Sequence, residues 1–448
     1  MADKRPVRVV ILGGGFGGMY AALEFERILA EDDSIEVTLV NEDNFFLFTP
    51  MLHEVAASDL DPSTIVNPVR KLLRRVRFFN GRVEKVELAG RRVLAAHGGS
   101  EHSHELEYDH LVIALGSTTN FFGIPGLAKR ALTMRSLADA ITLRNRLIQH
   151  LEEADFECSI GSRKDLLTIV VAGAGFAGVE TVAGINDFLR EAIAHYPNLT
   201  EESLRVVLVD PVPEILPELG GRLGPYARGK LTERKVEVRL QTGVRGVTDS
   251  GVELSDGTTI PTRLLVWTAG NAPNPLVSAL PCTVEKGRLV ADDRMRVAGW
   301  PGVWAMGDCA SIQDPTTGRP HPPTAQHALR QGKVLARNVY AAIRGKDLTR
   351  FRFSTIGQLA AIGRRTGVAR IFGFQFSGFL AWWLWRTIYL SKLPRVEKKV
   401  RVLLDWSLDL FFSKDLVQLG SSRGMSASRQ EPLLSELPAV ESVSSLSS

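Results

Sequence analysis

The sequence predicts an α/β protein made of two doubly wound parallel-sheet units and a helical carboxyl-terminal segment. Three observations predict it: a strand–glycine–helix pattern that occurs twice, matching landmarks downstream of each copy, and a change of composition after Arg364. The chain has 448 residues, 44% of them hydrophobic and 23% charged, which is enough apolar mass for several cores. Its formal net charge of +4 gives no case for a nucleic-acid partner. Its three cysteines, Cys158, Cys282 and Cys309, lie far apart and form no CxxC or CxxxxC pair, so any electron chemistry must come from a bound cofactor.

The first copy runs from the apolar strand Val9 to Leu12 into Gly13-Gly-Gly-Phe-Gly-Gly18, and a helical pattern follows over Met19 to Ile28. The second runs from Thr168-Ile-Val-Val-Ala172 into Gly173-Ala-Gly-Phe-Ala-Gly178, with a helical pattern over Val179 to Phe188. In G-x-G-x-x-G the first glycine permits the tight turn, the second lets backbone approach a pyrophosphate, and the third lets helix pack on strand. The anion then rests on unpaired N–H groups at the helix start. One such motif is a weak signal, because glycine turns also serve packing; two with matching landmarks are a strong one. A second strand follows each helix, Glu36 to Asn41 and Arg205 to Asp210, and each unit closes on an apolar strand ending in glycine, at Gly116 and Gly270. The pattern therefore predicts two Rossmann-like dinucleotide-binding domains of one design.

A further apolar strand within Gly302 to Ala310 delivers Asp308 at its carboxyl end, where ligands of parallel sheets bind. The second unit is complete by then, so this strand is expected to return to the first, with a helix over about Thr324 to Ile343 behind it. Ahead of the first copy, Lys4, Arg5 and Arg8 precede an apolar run of only Val9 to Leu12, too short for a signal peptide, and no export is expected.

The carboxyl-terminal stretch Ile371 to Leu390 is rich in Phe and Trp but interrupted by Gln375, Arg386 and two glycines, so a bilayer crossing is not expected. Next, Arg386, Lys392, Arg395, Lys398, Lys399 and Arg401 stand against Glu397 alone. Helical sidedness over Val400 to Phe412 puts Arg401, Asp405 and Asp409 on one face and Val400, Leu403, Leu404, Leu408 and Phe411 on the other. Aromatic belt, basic run and amphipathic helix fit an anchor on an anionic lipid surface. They also fit a helical hairpin packed on the core or on a second subunit, and a homodimer is expected. Ser421 to Ser448 hold ten serines and no aromatic residue, the composition of a disordered tail. The expected organisation is a discontinuous first domain over residues 1–125 and 290–365 and a second over 126–289. A membrane-anchoring or dimerisation region (366–420) and the tail (421–448) complete it.

Two dinucleotide folds in one chain imply two nucleotide cofactors. The layout resembles the two-dinucleotide-binding-domain flavoproteins, and among them most resembles the type II NADH dehydrogenases, single-chain, non-pumping NADH:quinone oxidoreductases, over roughly Val7 to Leu419. The doubled glycine motif and the Gly307-Asp308 step are shared across that superfamily. The segments Asn44-Phe-Phe-Leu-Phe-Thr-Pro-Met-Leu-His-Glu-Val-Ala56 and Thr324-Ala-Gln-His-Ala-Leu-Arg-Gln-Gly332, with the aromatic and basic carboxyl end, are closer to the narrower family.

The resemblance implies that the first unit holds FAD. Gly13, Gly15, Phe16, Gly17 and Gly18 would receive the pyrophosphate, Asp308 would face the ribityl chain, and Val83 would offer backbone to the adenine. Thr49, Pro50 and Ala325 would lie near the isoalloxazine. Where the family often has an acid for the ribose hydroxyls this chain has Asn41 followed by Glu42, and the contact is open between them. The second unit would bind NADH on Gly173, Gly175 and Gly178, with Asp210 on the adenosine ribose. A carboxylate there accepts a 2′-hydroxyl and repels a 2′-phosphate, so NADH is expected over NADPH.

Glu180 would lie beside the nicotinamide as a proton-handling group, and Gln326, Arg330 and Gln331 would face the quinone. Arg330 departs from the family's A-Q-x-A-x-Q pattern, which has glutamine at that place. No metal is expected, because His327 has no second ligand at suitable spacing. The implied activity is hydride transfer from NADH to flavin, then two electrons on to a membrane quinone, at the cytoplasmic face of the plasma membrane. A related flavin reductase with a non-quinone acceptor and a nucleotide-sensing flavoprotein remain the alternatives.

Overall fold

A computed structural model describes residues 5–98 and 102–420; the disorder expected for Ser421 to Ser448 lies outside the described residues. Val9 to Leu12 are buried on both faces of the strand Val7–Leu12, as the centre of a parallel sheet covered on two sides requires. Across that sheet the order is Val303–Ala305, His110–Ile113, Val7–Leu12, Ile35–Asn41 and Arg77–Asn80, all parallel. The strand holding the approach to Asp308 thus joins the first sheet only after the second has been completed. A second sheet repeats the order with Leu132–Thr133, Leu264–Trp267, Thr168–Ala172, Arg205–Asp210 and Val236–Leu240.

Each sheet carries a three-stranded antiparallel insert, Arg82–Glu87 with Arg92–Ala96 and Ser103–Glu107 in the first, and Val244–Thr248 with Gly251–Leu254 and Thr259–Ile260 in the second. Past the closing glycines Gly116 and Gly270, the short strands Ser117–Thr119 and Asn271–Pro273 pair antiparallel with each other and tie the two units together. The helix Phe16–Ile28 is covered by the helix Ala325–Ile343. The two approach so closely that a Cβ on Gly332 would lie 2.4 Å from the Gly17 carbonyl oxygen, which only glycine tolerates.

The carboxyl-terminal region departs from the expected all-helical segment. It opens with an antiparallel sheet, Gly357–Ala361, Gly367–Ile371 and Phe374–Gly378, followed by an aromatic helix Phe379–Lys392 and a terminal helix Val396–Leu408. Over the strand Phe374–Gly378 only Phe376 and Gly378 are partly buried, so no sustained two-residue alternation marks the strand within the interrupted aromatic run. Among the described residues no helix is long and apolar enough to cross a membrane.

The sidedness of the terminal helix is the reverse of a simple surface helix. Val402 and Trp406 are buried against the body, Asp405 Oδ2 accepts from the Asp61 N–H at 3.3 Å, and Asp409 lies 3.5 Å from Arg364. Outward stand Val400, Leu403, Leu404 and Leu408 and, just past the helix, Phe411, which is 81% exposed. The aromatic helix adds Phe379, Leu380 and Trp383 to the exposed apolar surface.

The basic run is correspondingly reduced. Arg386 lies between the rings of Trp382 and Trp406 at 4.3 and 4.5 Å, and Lys398 is buried with its ammonium on the Ser63 carbonyl. Arg395 and Arg401 both pair with Glu397.

Candidate active site

The two glycine turns have the same construction. At Gly13 and Gly173 the backbone is at φ 98° and 119°, and a Cβ would meet the neighbouring strand's exit within 2.5 Å. At Gly18 and Gly178 a Cβ would come within 2 Å of the first glycine's carbonyl, so helix and strand could not pack. At the middle glycines, Gly15 and Gly175, a Cβ would meet nothing within 4 Å. Each is the first residue before its helix, and no side chain caps either helix start. Two uncapped helix N-termini therefore face open space at the carboxyl ends of two parallel sheets, a ready cradle for an anionic diphosphate. Phe16 and Gly17 form the first turn of the first of these helices, and Phe16 packs edge-on to Phe46.

The residues that close the second strands brace these turns. Asn41 Oδ1 accepts from the Gly14 N–H at 2.7 Å, and Asp210 Oδ2 accepts from the Ala174 N–H at 2.6 Å. Asp210 Oδ1 also takes the Val212 N–H at 2.9 Å. Asn41 thus braces the first loop as Asp210 braces the second, while the neighbouring Glu42 stands exposed on the rim. Val83 is two residues beyond Gly81, whose N–H is bonded to the Asn41 carbonyl, and sits at a bulge in its strand.

Asp308 sits in the turn Gly307–Cys309 at the end of the returning strand. Ser117 donates to Asp308 Oδ2 at 3.0 Å; Arg135 in turn donates to Ser117 and to Asn271, so one polar chain joins both units at the ribbon between them. Gln331 is buried and its Oε1 accepts the Gly307 N–H at 2.9 Å, so it braces the Asp308 turn and does not face a substrate space as expected. Arg330 lies with its guanidinium 4.0 Å over the Phe353 ring and donates to the Gln326 carbonyl. Gln326 Nε2 donates to the Gly357 carbonyl at 2.6 Å, fastening the helix to the carboxyl-terminal sheet. Ala325 opens that helix, capped by Thr324, and His327 is a buried packing residue between His321 and Phe353.

Thr49 and Pro50 form the turn Thr49–Met51, directly ahead of the short helix Leu52–Ala56. That helix brings His53 and Glu54 against Glu180 of the helix Phe176–Ala192. Glu180 Oε1 accepts from the Trp385 indole N–H at 2.8 Å and from the Ala361 N–H at 3.1 Å, while Oε2 lies 3.8 Å from His53 Nδ1. Burial pushes the Glu180 carboxyl up to about 8, opposed by those two donors and helped by Glu54. Burial pushes Glu54 up to about 8 as well, against Arg386 at 3.8 Å and the Trp406 indole donor at 3.2 Å. His53 is pushed down to about 4 by burial, so the His53–Glu180 contact joins two neutral groups at neutral pH.

Sequence reasoning missed His53 and Glu54 as site residues, along with Ser117, Arg135, Trp385 and Arg386. The signal for the first two is a His-Glu pair inside the apolar run Met51 to Ala57, where an ionisable residue has no ordinary reason to be. Among the described residues no group of three His, Cys, Asp or Glu is arranged to hold a metal ion. Cys158 is exposed, Cys282 half-buried and Cys309 buried, and all three are unpaired.

Fold and site together define a two-sheet pyridine-nucleotide oxidoreductase. The chain matches the family described as pyridine nucleotide-disulphide oxidoreductase over residues 7–332, and the family described as the NDH2 C-terminal domain over 356–415. A protein of Mycobacterium tuberculosis named type II NADH:quinone oxidoreductase is 31% identical over 420 residues, spanning 90% of this chain and 87% of that one. A Synechocystis protein named demethylphylloquinone reductase is 31% identical over 417 residues, spanning 91% and 96%. The solved structure of NDH2 from Plasmodium falciparum in complex with NADH superposes with a TM-score of 0.86 at 20% identity, covering 92% of this chain and all of that one. The chain belongs to the type II NADH:quinone oxidoreductase family.

Proposed function

We propose that this protein oxidises NADH through a tightly held FAD and passes two electrons to a membrane quinone without pumping protons. The observation that carries the reading is the pair of open glycine cradles, built alike on two interlocked sheets. The residues fit the cofactor: Gly15 leaves room over an uncapped helix start, and Asp308 is held by Ser117 at the end of a parallel strand. FAD, when bound, supplies hydride acceptance and two-electron release, chemistry that no side chain here provides. The first glycine turn holds its diphosphate, Asp308 faces its ribityl chain, Val83 meets its adenine through backbone, and Thr49, Pro50 and Ala325 border its ring.

NADH binds on Gly173, Gly175 and Gly178, and the Asp210 carboxylate disfavours a 2′-phosphate. Glu180 holds a proton at neutral pH and is available to the reaction as an acid. Gln326 and Arg330 border the acceptor site, and Glu42, free on the rim, is the acid available to the FAD ribose.

The acceptor is assigned as lipid-soluble because the outward row Val400, Leu403, Leu404, Leu408 and Phe411 continues the exposed aromatic helix. Lys392 is exposed and suits anionic headgroups, as does the half-buried Lys399, whose ammonium rests on the Ser391 carbonyl, so the same face makes the protein peripheral to the cytoplasmic leaflet of a plasma membrane, where NADH is available. A homodimer would have to leave that row uncovered. The test is anaerobic titration of the purified yellow protein with NADH, followed by ubiquinone and menaquinone analogues. NADH should bleach the flavin and one quinone should restore its colour; a colourless protein that cannot be reconstituted with FAD overturns the reading.

A further inference from the structure

Between the two sheets and the carboxyl-terminal region lies a cleft whose floor holds Glu54 and Glu180 and whose mouth is formed by Asp187, Arg364 and Asp409. It has room for about one water molecule. The floor is narrow because the two helices cross at Gly184, where a Cβ would lie 3.1 Å from that of Ala57. Every neighbouring element sends an ionisable or donating group to it. Glu54 meets Arg386 of the aromatic helix and Trp406 of the terminal helix, lines the cleft with Glu180 of the facing helix, and feels the charges of the ion pair between Asp59 and the buried Lys414 (2.6 Å). Glu180 meets Trp385, His53, the Ala361 N–H and the hydroxyl-bearing Tyr389. Arg386 Nε is buried and meets no protein acceptor, so a donor to a cleft water is in place.

The reaction assigned above consumes a proton: NADH, H⁺ and quinone give NAD⁺ and quinol, with hydride from the nicotinamide and one proton from water. Glu180 is buried, with 8% of its surface exposed, and lines this cleft. We propose that the cleft is the proton inlet of the enzyme, in which Glu54 hands its proton through cleft water to Glu180 once Glu180 has given up its own, and is then reprotonated from solvent at the cleft mouth. The inference rests on the functional reading and adds to it the route by which Glu180 is resupplied. Each transfer moves one proton between carboxyl oxygen and water oxygen; no electrons move, and Glu54 returns to its starting state each turnover. Both carboxyls are raised by burial to about 8, so both carry protons at neutral pH, as members of such a path must. His53, held neutral, does not trap the proton.

The test uses the FAD-loaded full chain, wild type beside E54Q and E54D. Glutamine keeps the size and the acceptor for Trp406 but cannot ionise; aspartate keeps the chemistry but leaves a gap. In E54Q, kcat for quinone reduction should fall about tenfold with KM for NADH kept, and the solvent deuterium effect on kcat should rise. E54D should recover most of kcat. Infrared difference spectra across pH 6 to 10, taken without substrate, should lose one titrating protonated-carboxyl band in E54Q. Unchanged kcat and isotope effect in E54Q overturn the inlet, as does E54D slower than E54Q, which marks a packing role. An E54Q infrared spectrum that keeps every titrating band does so too. A wild type unable to reduce any quinone sinks the functional reading and the inlet with it, whereas an active wild type with an indifferent E54Q sinks the inlet alone.

Discussion

Asp210 braces its turn, and the role proposed for its charge in choosing the coenzyme can be separated from that brace by substitution. Its charge is available to exclude a 2′-phosphate, while its oxygens hold the Ala174 and Val212 N–H groups. Asp210→Asn keeps one acceptor and the side chain's size, so the turn should hold while kcat/KM for NADPH relative to NADH rises about tenfold. Unchanged discrimination in steady-state assays with both coenzymes would leave Asp210 as a turn brace only. The glycines separate similarly. Gly15→Ala points its methyl into open space and should cost flavin occupancy with the fold intact. Gly18→Ala drives a methyl into the Gly13 carbonyl and should prevent folding. Flavin absorbance alongside circular dichroism distinguishes the two outcomes.

At the scale of elements, the short helix Leu52–Ala56 and the helix Phe176–Ala192 press two protonated carboxyls into the core. Unfolded, Glu54 and Glu180 bind protons only near their ordinary value of 4.5; folded, they bind them up to about 8. The stability they lend is complete below about pH 4.5 and is lost as pH rises through about 8. Thermal midpoints should therefore fall between about pH 5 and 8 and level off above, and E54Q should flatten that slope; a wild type and E54Q with equal slopes across that range would contradict the buried protonation. His53 acts in the other sense, its contribution being lost as pH falls through about 4.

What the sequence made legible at this scale follows from period. The doubled strand–turn–helix units and the amphipathic helix behind Thr324 are long, regular signals, and each is where its pattern put it. The inward turn of Arg386, Lys398 and Asp409 was not legible. A charge run reads as a solvated face unless its partners, here two tryptophans, a carbonyl and a distant arginine, are already known. Gln331 shows the same limit: its residue type suits a substrate carbonyl, yet folding supplied a backbone N–H first.

Across the whole molecule the carboxyl-terminal region is woven into the core. Trp385 is fully buried on Glu180, Lys414 is paired with Asp59, and Arg144 donates to the Val417 carbonyl. Removing residues from Arg370 onward would cut the strand Gly367–Ile371 and unroof that cavity, so the truncated chain should be insoluble or melt far earlier. Surface substitution is the cleaner probe of lipid binding. Leu404→Asp with Phe411→Asp changes only exposed positions and should abolish co-sedimentation with anionic vesicles while leaving the thermal midpoint within a few degrees, a change of under ~0.5 kcal/mol. Vesicle binding equal to wild type would remove this face from that role.

The late arrival of Val303–Ala305 beside His110–Ile113 has a consequence for biogenesis. A nascent chain leaves the ribosome amino end first, so the first sheet must wait, one flank bare, while the whole intervening unit is translated. During that interval the unpaired backbone of His110–Ile113 is a template for stray pairing with another chain. Slowing translation between the two halves should therefore raise aggregation and the demand for chaperones, whereas a pause placed after residue 305 should not.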